Sequence, residues 1–248
     1  MADGGYCDPD DVRRVLQDSD FSGALDQDPL IVEQAITSQS ETTREFTDRH
    51  WYDPGAGPDA VVATEPLSAV DMRVDVPSSP HPQDRQLFVH ERERYPVTTD
   101  GPYARVRLPH CAVSSLTALR VRDHSGDVTD WVADAEHDEG RGEDFYLSTP
   151  TDGGKAGRSY LYIRAAALPA VTNYRGLLTL EYDYGRDAIP DSVRRATAFL
   201  AAHELVIDDD EATSIPDNGQ LVNVQTKADQ FKERALTLLD PYLSGAVA

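Results

Sequence analysis

Residues 178–202 constrain the fold most, because the chain changes there from the two-residue period of a strand to the period of a helix. One side of the extended segment carries Leu178, Leu180, Tyr182 and Tyr184. Gly185 ends this strand, and Pro190 suits a first helical turn, where a missing N–H costs nothing. The following residues then recur at three-to-four spacing: Val193, Ala196, Thr197, Leu200 and His203. The sequence therefore predicts a strand that leads directly into a capped helix.

Three further helices are predicted at the two ends of the chain. A short helix follows Asp8-Pro9, and a second runs from Asp28 to about Phe46, with acidic residues near the positive ends of the helix dipoles. The apolar edge of the second is Ile31, Ala35, Ile36, Thr43 and Phe46. The last helix is predicted from about Lys227 to Asp240, where Pro241 stops it. The apolar stripe of this last helix consists of Ala228, Phe231, Ala235, Leu238 and Leu239.

Between about Ala60 and Tyr184 the chain alternates short β-branched or aromatic runs with turn residues. The runs are residues 87–89, 105–108, 116–121, 160–163 and 177–184, and the turns are 100–102, 124–127 and 152–154. This spacing favours an antiparallel sandwich or barrel. We therefore expect an α+β fold, in which residues 1–58 and 186–248 form a helical bundle and residues 59–185 form an inserted β-rich domain.

The charge balance is strongly acidic, with 44 acidic and 23 basic residues and a formal net charge of −21. The basic residues are nearly all arginine, since the only lysines are Lys155, Lys227 and Lys232. This pattern indicates adaptation to high salt, because carboxylates keep a surface hydrated while salt screens their repulsion to within about 3 Å at 1 M. A generically acidic protein is the alternative. In either case, non-specific binding to nucleic acid or to anionic membranes is disfavoured.

The cysteines and the N-terminal residues indicate in which cellular compartment the protein is found. Cys7 and Cys111 have neither a metal-binding nor a redox spacing, which predicts ordinary thiols. No basic region followed by an apolar run opens the chain, and no stretch approaches the about 18 apolar residues of a membrane span. We expect a soluble protein that is not secreted by the usual route.

Chemical motifs do not predict an active site. The seven histidines form no pair with metal-ligand spacing, and residues 208–211 lack the glycine turn of a calcium loop, which favours a solvated connection over a cation site. Residues 153–159 contain the residues of a phosphate cradle in the wrong order, which favours a hairpin loop. No nucleophile elbow is present, and His110 and Cys111 would point to opposite faces of a strand. We expect no enzyme activity, no cofactor and no metal.

The helical flanks together with Tyr182-Asp183-Tyr184-Gly185, Pro190-x-x-Val193-x-x-Ala196 and the alanine-rich residues 196–202 resemble the head-to-tail adaptor (connector) proteins of tailed viruses. The resemblance covers about half of the chain, and it suits larger members with a β insertion between the second and third helices. It implies a virion protein, assembled in the host cytoplasm, that forms a ring of twelve copies between the portal and a tail or tail-completion protein. DNA would pass through the ring without specific binding.

The resemblance leaves the direction of the insertion open, and outward projection is favoured because a folded domain of that size is too large for a DNA channel. The same resemblance implies that the C-terminal segment docks onto the portal. It places a portal contact at Leu236, Leu239, Tyr242 and Leu243. Together with the acidic composition, it points to a virus of a halophilic archaeon. One alternative is a carbohydrate- or protein-binding β module of a halophilic organism that uses Trp51, Trp131, Tyr146, Tyr160 and Tyr162. The competing interpretation of these rings is core packing, and a hydrolase with an unrecognised site is a further alternative.

Overall fold

The computed structural model describes residues 4–17, 28–56, 61–74, 97–149, 158–168, 177–208 and 220–243. These residues form helices, two antiparallel sheets and one short parallel strand pair, which confirms the α+β class. The described helices are α1 (Pro9–Gln17), α2 (Pro29–Thr47), α3 (Asp191–Asp208) and α4 (Gln220–Leu243). None of them combines the length and the apolarity needed to cross a lipid bilayer.

Four strands match the predicted runs that are described, and six further strands were not predicted, which makes ten described strands. They are β1 (Trp51–Tyr52), β2 (Leu67–Val74), β3 (Val97–Asp100), β4 (Tyr103–Cys111), β5 (Val113–Arg122), β6 (Val128–Asp130), β7 (Phe145–Ser148), β8 (Arg158–Arg164), β9 (Leu178–Tyr184) and β10 (Arg186–Asp187). The predicted strand 87–89, most of the predicted loop 153–159 and the acidic residues 209–211 lie outside the described residues.

The chain divides into two compact units. The helical unit contains residues 1–65 and 186–248, and the β unit contains residues 66–185. Residues 61–65 belong with the helices because their backbone pairs there. The Ala63 N–H donates to the carbonyl of Gly5 over 3.0 Å, and the Asp53 N–H donates to the carbonyl of Ala63 over 2.7 Å. The sequence alone placed this boundary at residues 58 and 59.

The buried face of α2 differs from the predicted apolar edge. Ala35, Ile36 and Thr43 are buried as expected, whereas Ile31 and Phe46 are 48% and 57% exposed. The remaining buried positions are Val32, Ser40 and Thr47. Hydroxyl side chains can face the core here because each donates to a carbonyl four residues earlier, over 2.7 to 2.8 Å. The predicted edge was one residue off at each end, since Val32 and Thr47 are buried in place of the neighbouring Ile31 and Phe46.

Small residues allow close packing of α3 against its neighbours. Ala198, Ala201 and Ala202 are fully buried in a cluster that also contains Val12 and Leu16 of α1. Phe231 of α4 packs on Phe199 with ring centroids 6.0 Å apart. The predicted α4 stripe is confirmed, with Leu238 partly and its other members fully buried.

The bounds of α4 differ from prediction at both ends. The helix begins at Gln220, ahead of Lys227, in a stretch rich in residues of modest helix propensity. It also continues through Pro241 to Leu243. Proline removes one backbone donor, and tertiary contacts of the following residue, Tyr242, retain the last turn.

The described strands of the β unit form two open four-stranded antiparallel sheets, with strand orders β2-β9-β5-β6 and β3-β4-β8-β7. The barrel alternative is therefore wrong for the described strands. One hydrophobic cluster contains residues of both sheets, among them Leu119 and Leu180 of the first and Val106 and Leu161 of the second. In β9 every second residue is buried, as the predicted two-residue period requires. Gly185 follows with φ of 146°, a conformation that favours glycine.

Candidate functional site

The predicted portal-contact residues on α4 do not share one exposed surface. Leu239 is 1% exposed and belongs to a core cluster with Trp51, whereas Leu236 is 38% exposed. Tyr242 and Leu243 are half-buried. The side chain of Leu236 is thus open to a partner, and that of Leu239 is not. A portal contact at these residues stays a prediction, and the tail 244–248 lies outside the described residues.

Tyr242 is held by three side chains of the helical unit. Its ring meets the indole of Trp51 edge-on at 5.4 Å between centroids, and its hydroxyl lies 2.9 Å from the hydroxyl of Ser192. The guanidinium of Arg49 lies 5.6 Å from the ring centroid. Because these contacts join the end of α2 and the start of α3 to α4, Tyr242 is part of the packing of this unit.

A buried polar network lies beside this aromatic cluster. Nε2 of His50 lies 2.9 Å from the carbonyl oxygen of Glu65, which can only accept. In a neutral ring, Nε2 therefore carries the proton, and Nδ1 accepts from the hydroxyl of Tyr6 over 3.1 Å. His50 is 1% exposed, so the network satisfies a polar ring in the core. The sequence did not single out Tyr6 and His50, and the signal that could have found them is the aromatic run His50-Trp51-Tyr52.

An ion-pair cluster joins α3 to the first helix. The guanidinium of Arg194 donates to the carboxylates of both Asp8 and Asp11. The hydrogen bond to Asp11 raises the pKa of Arg194. Burial raises the pKa of the Cys7 thiol far above its usual range, and the negative charges of Asp11 and Asp8 raise it further. Cys7 is therefore a buried, neutral thiol, whereas the sequence predicted only that it is an ordinary thiol.

The helical unit contains a cavity of about 560 Å³ next to this ion pair. Carboxylates dominate its polar lining, since Asp53, Asp187 and Asp191 face it in addition to Asp8. Among the described residues that line it, Arg194 is the one basic residue. The electrostatics of such a cavity favour a cationic group over an anion. Within the described parts of the chain, no group of three or more His, Cys, Asp or Glu residues is arranged to hold a metal ion.

The described histidines that are partly buried outside the His50 network are His110, His137 and His203, whereas His124 is exposed. His110 stacks on Tyr184 at 3.9 Å between centroids, and its Nδ1 lies 2.8 Å from the hydroxyl of Tyr182. Burial and the nearby charge of Lys232 lower the pKa of His203 on α3. These environments match structural roles for the rings.

The aromatic residues of the binding-module alternative fall into two groups. Trp51 and Trp131 are 2% and 3% exposed and belong to the cores. Tyr146, Tyr160 and Tyr162 are half-buried on the outer face of sheet β3-β4-β8-β7. Core packing is therefore correct for the two tryptophans, whereas the tyrosines form part of a surface.

No protein-family model and no curated protein matches the chain. Among solved structures, it is similar to a chain of a particle described as "Virion of native gene transfer agent (GTA) particle". The sequence identity is 15%, the match covers 81% of this chain and 77% of that chain, and the TM-score is 0.42. A chain of "Neck of empty GTA particle computed with C6 symmetry" gives 15% identity, coverage of 82% and 79%, and a TM-score of 0.40. Both TM-scores lie below 0.5, and neither likeness assigns a fold or a function to this chain.

Proposed function

We propose that the chain is a structural protein of a tailed-virus particle, the head-to-tail adaptor that joins the portal to the tail. The observation that carries the proposal is the organisation of the helical unit. Helices from both ends of the chain form one compact unit, and a compact β unit is inserted between α2 and α3. The larger adaptors, which the flanking motifs resemble, have an insertion at this same place.

The proposed architecture is a helical bundle with an inserted β-sandwich. Shared burial of residues from both four-stranded sheets in one cluster supports the sandwich. The fully buried alanines of α3 support close helix packing in the bundle. In the proposed ring of twelve copies, the bundle would surround the DNA channel.

The charge distribution suits a channel through which DNA passes. The helical unit contains 26 of the 44 acidic residues and 10 of the 23 basic ones, which gives it a net charge of −16. Carboxylates repel phosphates, so DNA can slide past such a wall without binding. The role needs neither catalysis nor a cofactor. The proposed location is the head-tail interface of the virion of a halophilic archaeal virus, after assembly in the host cytoplasm.

Recruitment by the portal tests the proposal. Purified chain should be largely monomeric at low concentration in molar KCl, because a weak subunit interface is reinforced by the ring onto which it docks. Adding assembled portal should bring the chain into the portal fraction on a density gradient, as a ring visible by electron microscopy. The portal with an unrelated acidic protein is the control. Absence of the chain from the portal fraction would contradict the adaptor role.

A glycan- or protein-binding module is the second candidate, favoured by the outward-facing tyrosines of the β unit. A glycan array probed with the chain separates the two. Stable binding of a soluble glycan, without portal recruitment, would support the module.

A further inference from the structure

The outer face of sheet β3-β4-β8-β7 gathers arginines and tyrosines. Along β4 and β8, residues alternate between buried and half-buried, so one set of side chains faces outward. The cross-strand register places Arg105 opposite Tyr162 and Tyr146 opposite Tyr162. We define the arginine–tyrosine face by Arg105, Arg107, Tyr146, Tyr160, Tyr162 and Arg164.

The rings of this face are already stacked within the molecule. Tyr146 and Tyr162 lie parallel, with centroids 4.7 Å apart and an interplanar angle of 1°. The guanidinium of Arg105 covers Tyr160 at 4.9 Å from its centroid, and that of Arg141 lies 5.8 Å from Tyr146. Because these contacts occupy ring faces, a base or a sugar would have to displace them in order to stack there. The contacts also hold the surface in one conformation, which lowers the entropic cost of docking.

Two outward arginines of the face are available for a partner's carboxylates. Arg164 is exposed and Arg107 half-exposed, and no salt bridge among the described residues involves either of them. The ion pair of Arg120 with Glu181 lies on the other four-stranded sheet. Arginine and tyrosine are the residues most enriched where protein partners bind. The chemistry of this face thus fits an acidic protein surface.

The chain itself provides such a surface. Its helical unit has a net charge of −16, whereas the β unit, with 18 acidic and 13 basic residues, has −5. We propose that the arginine–tyrosine face docks onto the acidic helical unit of a second copy of this chain. Two different, complementary surfaces give a head-to-tail contact, which closes into a ring or continues as a filament. Ring closure rests on the proposed function, whereas the contact itself needs no portal.

Nucleic acid is the less favourable occupant. Binding to phosphates weakens steeply as salt rises, whereas arginine–carboxylate contacts in a packed interface are screened much less. The net charge of the whole chain also opposes approach of a polyanion.

Sedimentation velocity of the full chain in molar KCl, over rising protein concentration and without portal, tests the contact. The test variant is Arg107→Glu with Arg164→Glu. Its matched control is Arg73→Glu with Arg122→Glu, which makes the same charge change at exposed positions of the other sheet. Wild type and control should each self-associate with a Kd of about 1 mM. The test variant should bind itself at least about tenfold more weakly, with an unchanged circular dichroism spectrum.

A mixing experiment separates a head-to-tail contact from a symmetric one. The test variant retains the acidic surface, so it should bind the face of a wild-type chain and cap growing oligomers. Wild type that stays monomeric at the highest concentration, or equal weakening by both double variants, would overturn the proposal. Loss of binding to a single-stranded DNA oligonucleotide in the test variant alone, with unchanged self-association, would overturn it in favour of a nucleic-acid site. Portal recruitment is measured separately, so failure of the adaptor role is distinguishable.

Discussion

The indole of Trp51 stands edge-on to the ring of Tyr242, with centroids 5.4 Å apart and planes at 80°. This contact joins the residues after α2 to the last turn of α4, where Pro241 has removed a backbone donor. The C-terminal turn is therefore held by tertiary packing, and its stability depends on side chains distant in sequence.

Tyr242→Ala should lower the free energy of unfolding by about 3 kcal/mol, because it removes a packed ring and leaves the Ser192 hydroxyl without this partner. Leu236→Ala, at an exposed position of the same helix, should change it by less than about 0.5 kcal/mol. Denaturant unfolding in molar KCl measures both. Equal losses would show that Tyr242 does not anchor the end of α4.

Arg194→Gln should destabilise the chain by about 1 kcal/mol, because Asp8 and Asp11 lose a shared cation whose side chain is 44% exposed. Arg195→Gln is the matched control, since its neighbouring side chain is exposed on the same helix. Thermal melts should separate the two variants, and the difference should shrink as salt rises. A difference independent of salt would indicate lost packing.

Stability should fall at alkaline pH in a way that Tyr182 explains in part. Burial raises the pKa of Tyr182 above its usual range. As the pH rises, the unfolded chain therefore loses the phenolic proton of Tyr182 before the folded chain does. The contribution of Tyr182 to the free energy of unfolding is fully present below pH of about 10 and is lost as the pH rises above it. Tyr182→Phe should flatten the decline of the Tm above that pH, and Tyr52→Phe provides a control. An unchanged slope in Tyr182→Phe would contradict this assignment.

The Tm should rise steeply from dilute buffer to molar KCl, because 44 acidic residues against 23 basic ones repel one another until salt screens them. If two transitions are resolved, the one assigned to the helical unit should move further, since its net charge is −16 against −5 for the β unit. Hydrogen exchange followed by mass spectrometry assigns the transitions. A Tm that is flat or falls with salt would show that the acidic composition is not a salt adaptation.

Deletion from Ser244 onward should leave the circular dichroism intact and weaken association with the portal, because a small uncharged tail suits burial between partner subunits. Leu236→Glu in the full chain tests the exposed member of the predicted contact. Co-sedimentation with portal measures both variants. Unchanged binding by the deletion would exclude C-terminal docking and move the contact to another surface, of which the first two helices are the next to test.

Local periodicity decided where most elements lie. The two-residue period in β9, the proline after Gly185 and the stripe in α4 are recorded in neighbouring residues, so the sequence predicted them. The acidic excess also followed from composition, whereas the burial of Cys7 did not. The sequence failed where burial of a residue depends on a distant partner. The hydroxyl of the buried Ser40 accepts from the N–H of Tyr6 over 2.9 Å, and α4 passes Pro241 because Tyr242 packs on Trp51.

The sequence by itself determined the element types, the interrupted order of helices and strands, and the charge of the chain. Tertiary structure decided which side chains meet. It buried Leu239 while leaving Leu236 exposed, and it brought Arg105, Tyr160 and Tyr162 from two separate strands onto one face. The physical reason is range: periodicity reports neighbours along the chain, whereas register and packing join residues far apart in sequence, whose contacts no local pattern records.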